Sequence, residues 1–153
     1  MSAAWSRAGL VLAAVVVLDQ VTKALVRDSV ELGSENPVLP LVSLVHSRNT
    51  GVAFGVFEGQ TALVVVAIAV AVAALAAYFA THRERPWVWL PVGLLAGGAL
   101  GNVIDRLYEG FVTDFIKLPR WPAFNVADMA ITVGVLALLL VVERSDDRAA
   151  DRG

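Results

Sequence analysis

The chain has 153 residues, of which 58% are hydrophobic and 17% are charged, and its mean hydropathy is +0.70. A soluble domain typically has about 45–50% apolar and about 25% charged residues, so this composition indicates a membrane protein. The formal net charge of −2 gives no reason to expect nucleic acid as a partner. Because the sequence has no cysteine, it excludes disulfides, thiol nucleophiles and cysteine-based metal sites.

Four segments of the chain are apolar over the roughly 20 residues that a helix needs to cross a bilayer. We predict a membrane all-α fold in one domain, residues 1–144, with transmembrane helices at about 8–27, 61–80, 86–106 and 123–142. The first helix carries Asp19, Gln20 and Lys23; a signal peptide is an alternative interpretation, although no clear small-x-small cleavage site follows. Residues 145–153 have mixed charge and are predicted to form a disordered cytoplasmic tail.

Four helices would place both chain termini on one side of the membrane. The short connection Thr81–Arg85 is basic and Arg7 lies on the same side, so the positive-inside rule favours cytoplasmic termini. The two long connections, residues 27–60 and 107–122, then lie together on the extracytoplasmic side. The unusual polar residues at that side are Asp19, Lys23, Asn49, Asn102, Asp105, Asp114, Asn125 and Asp128. We therefore expect a functional site at the extracytoplasmic interface.

The first long connection contains the sequence PVLPLVSLVH, Pro37 to His46, in which leucine and β-branched residues occur in short runs. We predict a small extramembrane β-sheet, or cradle, after helix 1, within residues 30–58. Phe54, Val56 and Phe57 would give this sheet an apolar side. That side would hold an extended apolar peptide or rest among lipid headgroups, and a simple lid is an equally weighted alternative.

The third apolar segment ends in the sequence GGALGNVIDR, in which glycines recur on one face of the predicted helix. Gly93, Gly97 and Gly101 are spaced four residues apart, and Asp105 is the next step of the series. Small residues at this spacing allow another helix to pack closely. Because a four-residue step turns only about 40° around a helix, Asp105 should face protein rather than lipid, with Asn102 on nearly the same face.

The sequence FNVAD repeats the Asn-Val-x-Asp pattern at the start of the fourth helix. Asp128 follows Asn125 by three residues, and we predict that it converges with Asp105 from the neighbouring antiparallel helix. Two such carboxylates would share one proton. One would then activate water while its protonated partner polarises a carbonyl, with no metal or cofactor required. The alternative is that each aspartate is merely interfacial or caps a helix end.

Other interpretations have less support in the sequence. His46 and His82 are the only histidines, and a zinc site would need further ligands. Lys23 follows Asp19 by four residues, a spacing that predicts an ion pair within the first helix. A small proton-coupled transporter is the main functional alternative, but it would need ionisable groups along a path to both faces. A non-catalytic scaffold would not explain the repeated pattern.

Five motifs in order resemble those of the lipoprotein signal peptidase (signal peptidase II) family. They are LDQVTK, NTGVAFG, GGALGNVIDR, VTDF and WPAFNVAD, and the resemblance extends from about Leu18 to Gly134. It implies a bacterial inner-membrane aspartic endopeptidase that removes signal peptides from prolipoproteins whose lipobox cysteine carries diacylglycerol. It also implies inhibition by the cyclic peptide globomycin.

The resemblance assigns roles to individual positions. Asp105 and Asp128 would form the catalytic pair. The matching positions with supporting or substrate-contact roles would be Asn102, Arg106, Asn125, Ala127, Asn49, Gly51, Asp19, Lys23 and Asp114. The implied partners are a prolipoprotein with a diacylglyceryl-cysteine and the membrane lipids, with no cofactor. We further expect a multi-pass monomer with its site on the extracytoplasmic side.

Overall fold

The computed structural model describes residues 3–51 and 60–150. Its elements, in chain order, are α1 (Ala3–Ser29), β1 (Glu35–Leu39), β2 (Val42–Asn49), α2 (Thr61–His82), α3 (Trp89–Tyr108), β3 (Val112–Lys117) and α4 (Val126–Ala150). The predicted fold class, a helical membrane bundle with a small sheet after the first helix, is confirmed. The segment predicted as a disordered tail begins within α4, which continues to Ala150.

Among the residues that the structure describes, three helices are long and apolar enough to cross a membrane, namely Ala3–Ser29, Thr61–His82 and Val126–Glu143. Helix α3 has 20 residues, which corresponds to about 30 Å, the thickness of a bilayer's hydrocarbon core. It contacts each of the other three helices. Because α3 is surrounded by protein, it can carry glycines and polar residues that a lipid-facing helix could not.

The bundle has an apolar exterior and buries charged side chains in its interior. On α1, Leu10 and Leu25 are 71% and 61% exposed, whereas Asp19 and Lys23 are fully buried. A soluble protein shows the opposite distribution, because burying apolar surface is what stabilises it in water. The exposed leucines are therefore the surface that lipid covers, and the buried ionised groups must be satisfied by one another.

Glycines on α3 form two faces that point to different helices. The predicted packing stripe is confirmed: a Cβ at Gly93 or Gly97 would meet the backbone of α1 at 2.7 and 3.0 Å. Asp105 continues this face and is only 2% exposed, as predicted. Gly98 lies on a second face, where a Cβ would meet the carbonyl oxygen of Ala127 on α4 at 2.5 Å. Helix α3 is thus packed between α1 and α4 at backbone distance.

The extramembrane sheet has the order β1-β2-β3, with both pairs antiparallel. Strands β1 and β2 confirm the predicted sheet, while its residues 52–58, including Phe54, Val56 and Phe57, lie outside the described residues. The third strand comes from the second long connection and was not predicted. Val26, Val30 and Phe115 form an apolar cluster that joins the end of α1 to β3. This cluster fixes the sheet on the bundle.

Substitution of Gly98 tests the close approach of α3 and α4. Gly98→Ala should lower the free energy of unfolding by about 1–3 kcal/mol, because the new methyl group meets backbone that cannot move aside. Gly9→Ala is the matched control on α1, where a Cβ meets nothing within 4 Å. The thermal midpoint of the detergent-purified variants measures both effects, and equal midpoints would contradict the packing described here.

Candidate active site

The described residues enclose a cavity of about 1140 Å³ at the end of the bundle that carries the sheet. One wall comes from α2 and the opposite wall from α4, while β2, β3 and α3 form the inner end. The polar residues that line the inner end include Ser47, Arg48, Asn49, Asn102, Arg106, Asp114 and Asp128. Most of the remaining lining is apolar and includes Leu63, Val64, Ile68, Met129, Ile131 and Val133. The cavity therefore presents two carboxylates at the end of an apolar groove.

Asp114 reaches the cavity from β3, whose register with β2 places it opposite Ser47. Its side chain is almost completely buried, with 2% of the residue exposed. The Asn49 amide nitrogen donates to its Oδ2 at 2.9 Å, and the Asn125 amide nitrogen donates to its Oδ1 at 2.7 Å. The carboxyl group is thus held by two side-chain amides from different elements.

Burial raises the pKa of Asp114 from its usual value to about 7. The negative charge of Asp128 acts in the same direction, while the hydrogen bonds from Asn49 and Asn125 oppose the shift. Because this pKa lies near neutrality, the protonated form of Asp114 is well populated at physiological pH. A protonated carboxyl group can donate a hydrogen bond to a substrate oxygen.

Asp128 occupies the first turn of α4, where it takes part in a reciprocal cap. Its backbone N–H donates to Asn125 Oδ1 at 2.9 Å, and its Oδ2 accepts from the Asn125 backbone N–H at 3.2 Å. This is the geometry of a capping box, which satisfies otherwise unpaired N–H groups at a helix start. The Asn102 amide nitrogen donates to Asp128 Oδ1 at 2.8 Å. Both carboxylate oxygens therefore accept hydrogen bonds from N–H donors.

Two asparagines connect the two carboxyl groups. Asn125 Nδ2 lies 2.7 Å from Asp114 Oδ1 and 3.1 Å from Asn102 Oδ1. Asn102 in turn donates to Asp128. Asn125 is fully buried and Asn102 is 7% exposed, so water does not compete for the hydrogen bonds that these two residues make. Asp114 and Asp128 thus belong to one hydrogen-bonded unit.

The structure places Asp128, but not Asp105, in the lining of the cavity. Asp105 does not line the cavity, and its Oδ2 instead contacts Lys23 Nζ at 3.2 Å and the Thr113 backbone N–H at 3.0 Å. Gln20 Nε2 donates to its Oδ1 at 3.0 Å. The reason is geometric: Asp105 continues the glycine face that packs on α1, whereas Asn102 follows Gly98 on the face toward α4. The geometry favours Asp114 as the partner of Asp128.

Asp19, Lys23 and Asp105 form a buried ionic cluster behind the cavity. Lys23 Nζ lies 2.7 Å from Asp19 Oδ2, as the four-residue spacing predicted. Asp19 Oδ1 accepts a 2.9 Å hydrogen bond from the backbone N–H of Ala127, which is also fully buried. The cluster therefore connects α1 to the helix turn that carries Asp128.

Arg106 fixes the end of β2 beside the site. Its Nη2 donates to the Gly51 carbonyl oxygen at 2.6 Å, and its Nη1 donates to the Asn102 carbonyl oxygen at 3.2 Å. The Gly51 backbone N–H donates to Asn49 Oδ1 at 3.0 Å, which leaves the Asn49 amide nitrogen for Asp114. Arg106, Gly51 and Asn49 all line the cavity, as the resemblance implied for a supporting or substrate-contact role.

The histidines lie apart from the carboxylate pair. His46 is buried in the sheet, where its Nδ1 lies 2.8 Å from the Val30 carbonyl oxygen. His82 is at the far end of α2, where it contacts the Tyr78 carbonyl oxygen. Within residues 3–51 and 60–150, no group of three or more histidine, cysteine, aspartate or glutamate side chains is arranged to hold a metal ion.

Sequence reasoning named Asp114 only as a supporting position and did not place its carboxyl group in one cavity with that of Asp128. The signal that could have found it is the sequence VTDFIK, in which β-branched and aromatic residues predict a short strand. A strand after α3 would join the sheet predicted after helix 1 and carry its aspartate to the bundle's end. Gln20 and Thr113, which hold Asp105 away from the cavity, also had no assigned role.

The fold and the site define a class of protein: a multi-pass membrane protein with two neighbouring carboxyl groups, the arrangement that aspartic peptidases use. The signal peptidase II family model matches residues 11–143 of the chain. The chain belongs to this family, whose members are aspartic endopeptidases.

Curated relatives support this assignment over most of the chain. The lipoprotein signal peptidase of Moorella thermoacetica is 42% identical over 126 residues, which cover 81% of this chain and 84% of the relative. That of Syntrophomonas wolfei is 41% identical and covers 84% and 87%. That of Pelotomaculum thermopropionicum is 36% identical and covers 94% and 95%. None of these comparisons supports the alternative of a transporter.

Solved structures show the same fold. A bacterial membrane enzyme determined by the in meso method at 2.3 Å resolution superposes with a TM-score of 0.86 at 29% identity, covering 92% of this chain and 90% of that one. A second, determined at 1.9 Å resolution, has a TM-score of 0.81 at 30% identity, covering 88% and 91%.

Replacement of Asp105 separates a structural role from a catalytic one. Asp105→Asn should lower the free energy of unfolding by about 1.5–3 kcal/mol, because Lys23 loses one of its two carboxylate partners. The folded fraction should still cleave substrate, since Asp105 does not line the cavity. Thermal midpoints and cleavage per folded molecule measure the two effects, with the exposed Asp28→Asn as control. Unchanged stability with abolished cleavage would instead make Asp105 catalytic.

Proposed function

We propose that the chain is a lipoprotein signal peptidase whose catalytic pair is Asp114 and Asp128. The substrate would be a prolipoprotein with a diacylglyceryl-modified cysteine, and the bond cleaved would be the one that precedes this cysteine. The observation that carries the proposal is that both carboxyl groups line one cavity and share one hydrogen-bond network. Membership of the signal peptidase II family supports the reaction class.

The two carboxyl groups are suited to different halves of the reaction. Asp128, ionised and held by N–H donors on both oxygens, takes a proton from the attacking water. Asp114, protonated near neutral pH, donates a hydrogen bond to the carbonyl oxygen of the bond to be cleaved. Water then adds to the carbonyl carbon to give a tetrahedral intermediate. Transfer of a proton from Asp128 to the leaving nitrogen completes hydrolysis and leaves Asp128 ionised.

The walls of the cavity suit a substrate that is itself in the membrane. Leu63, Val64 and Ile68 of α2 face Ile131 and Val133 of α4 across it. An apolar signal segment and acyl chains would be buried favourably on such walls. Asp114 lies on a strand outside the helices and Asp128 lies in the first turn of α4, so the pair is at the membrane interface, where water is available.

The proposed orientation places this site on the extracytoplasmic side of the bacterial cell membrane. The α2–α3 connection, with Arg83 and Arg85, and Arg7 near the start of α1 lie at the opposite end, which favours a cytoplasmic location for that end. We further propose that the chain acts as a monomer, because the described residues form a cavity within one chain. Globomycin, as the resemblance implies, would bind in this cavity.

Replacement of either carboxyl group tests the catalytic pair. Asp114→Asn and Asp128→Asn should each reduce kcat/KM by about 100- to 10,000-fold, because neither amide can exchange a proton in the reaction. The assay is cleavage of a diacylglyceryl-modified prolipoprotein by purified enzyme in detergent. Asp28→Asn is the control, since Asp28 is an exposed aspartate at the end of α1. Full cleavage by either purified active-site variant would refute the assignment.

The raised pKa of Asp114, about 7, predicts the alkaline side of the pH profile. Only protonated Asp114 polarises the carbonyl, so kcat/KM should fall about tenfold per pH unit above this pKa. Asn49→Ala removes a hydrogen bond that lowers the pKa of Asp114, so the alkaline limb should move to higher pH. Asn36→Ala, an exposed position on β1, is the control. A limb that stays in place or moves to lower pH contradicts the role of Asp114.

A further inference from the structure

Lys23 makes one contact that charge neutralisation alone does not require. The residue lies on α1 and is fully buried, and its ammonium group contacts Asp19 at 2.7 Å and Asp105 at 3.2 Å. Its third contact is a 2.9 Å hydrogen bond to Oδ1 of Asn102. An ammonium group has three N–H donors, so these three acceptors use all of them. The contact to Asn102 leads directly to the proposed active site.

The contact with Lys23 permits only one orientation of the Asn102 carboxamide. A side-chain amide can present either its oxygen or its NH₂ group to a neighbour, and hydrogen-bond partners decide which. Lys23 cannot accept a hydrogen bond, so the oxygen must face it. Because Oδ1 of Asn102 faces Lys23, Nδ2 faces the other way, where it donates to Asp128 Oδ1 at 2.8 Å.

The second amide of the site, that of Asn125, supplies the same constraint more weakly than Lys23 does. Asn125 Oδ1 accepts from the backbone N–H of Asp128, which fixes the orientation of Asn125 independently. Its Nδ2 then donates to Asp114 and to Asn102. The bond from Asn125 to Asn102 supports the same Asn102 orientation, but it is 3.1 Å long and comes from a neutral donor. The charged donor Lys23 forms the shorter and intrinsically stronger bond.

We propose that Lys23 is a positioning residue for the reaction: through Asn102 it keeps an N–H donor, rather than a carbonyl oxygen, directed at Asp128. This inference rests on the proposed function, in which Asp128 is the ionised base. Without Lys23, the Asn102 amide can rotate so that its oxygen faces Asp128 Oδ1. Two acceptors would then oppose each other, and the ionised state of Asp128 would lose a stabilising partner.

Other charged groups also act on Asp128, so the test must separate them from Lys23. Asp114 of β3, Arg48 of β2 and Arg106 of α3 line the same cavity as Asp128, while Asp19 of α1 and Asp105 of α3 contact Lys23. The described α2 residues in the cavity are not charged. Replacement of Lys23 also removes a positive charge. The experiment therefore needs a second variant in which the net charge of the buried cluster is restored.

The experiment measures kcat/KM against pH for Lys23→Met and for the double variant Lys23→Met/Asp19→Asn. The double variant removes one cation and one carboxylate, so the net charge of the buried cluster is conserved. Asp19→Asn alone is the matched control, because it leaves the bond from Lys23 to Asn102 in place. At low pH kcat/KM falls, and this fall is the acidic limb of the profile. We expect the acidic limb to move to higher pH by about one unit in the double variant but not in the control.

The outcomes distinguish a role of Lys23 in positioning Asn102 from a role in stabilising the fold alone. An acidic limb that stays at the parental pH in the double variant, whatever its overall activity, makes Lys23 a purely structural residue and overturns the inference. A purely structural role lowers the amount of folded enzyme but does not move the limb when kcat/KM is expressed per folded molecule. A parent enzyme that cleaves no prolipoprotein would refute the proposed function instead.

A second measurement does not depend on cleavage. The infrared absorption of protonated carboxyl groups can be followed during a pH titration of the purified protein, with Asp128→Asn as the subtraction reference. We expect the Asp128 signal to appear at higher pH in Lys23→Met/Asp19→Asn than in Asp19→Asn. Identical titrations would overturn the inference even if every variant were inactive.

Discussion

The structure depends on the burial of one ammonium group, that of Lys23, among helices whose outer surfaces are apolar. Between membrane helices, apolar contacts give little specificity, because lipid is as apolar as leucine. A buried cation, in contrast, is stable only where its acceptors are placed around it. Lys23 finds Asp19 on its own helix and both Asp105 and Asn102 on α3. The alignment of α1 with α3 is therefore tied to these contacts.

The second constraint is the arrangement of small residues on α3. Gly97 and Gly101 face α1, and Gly98 faces α4, so helices approach at backbone distance on two sides. Consecutive residues are separated by about 100° around a helix. This offset separates the polar residues that follow: Asp105 continues the first face and Asn102 the second. The same short sequence thus supplies one residue to the ionic cluster and another to the carboxylate pair.

The site combines one aspartate that is positioned by contacts close in sequence with another that is positioned by contacts distant in sequence. Asp128 is fixed by its own helix cap with Asn125, a local arrangement. Asp114 is fixed by strand pairing between β2 and β3, which joins the two long connections. Burial raises the pKa of Asp114, although the hydrogen bonds from Asn49 and Asn125 oppose the shift, so the two carboxyl groups have different surroundings. Different surroundings are what the proposed acid and base functions of the pair require.

The sequence by itself determined the membrane class, the helices, the first two strands and the inward orientation of Asp105, because hydropathy and spacing are local properties. It also indicated a carboxylate site at one end of the bundle and, through ordered motifs, the family. Only the tertiary structure decided which second aspartate lines the cavity with Asp128. Helical spacing shows that Asp105 faces protein, but not that the facing helix is α1, with Lys23. Asp114 reaches the site through β3, whose partner strand is distant in sequence, and that pairing exists only in the folded chain.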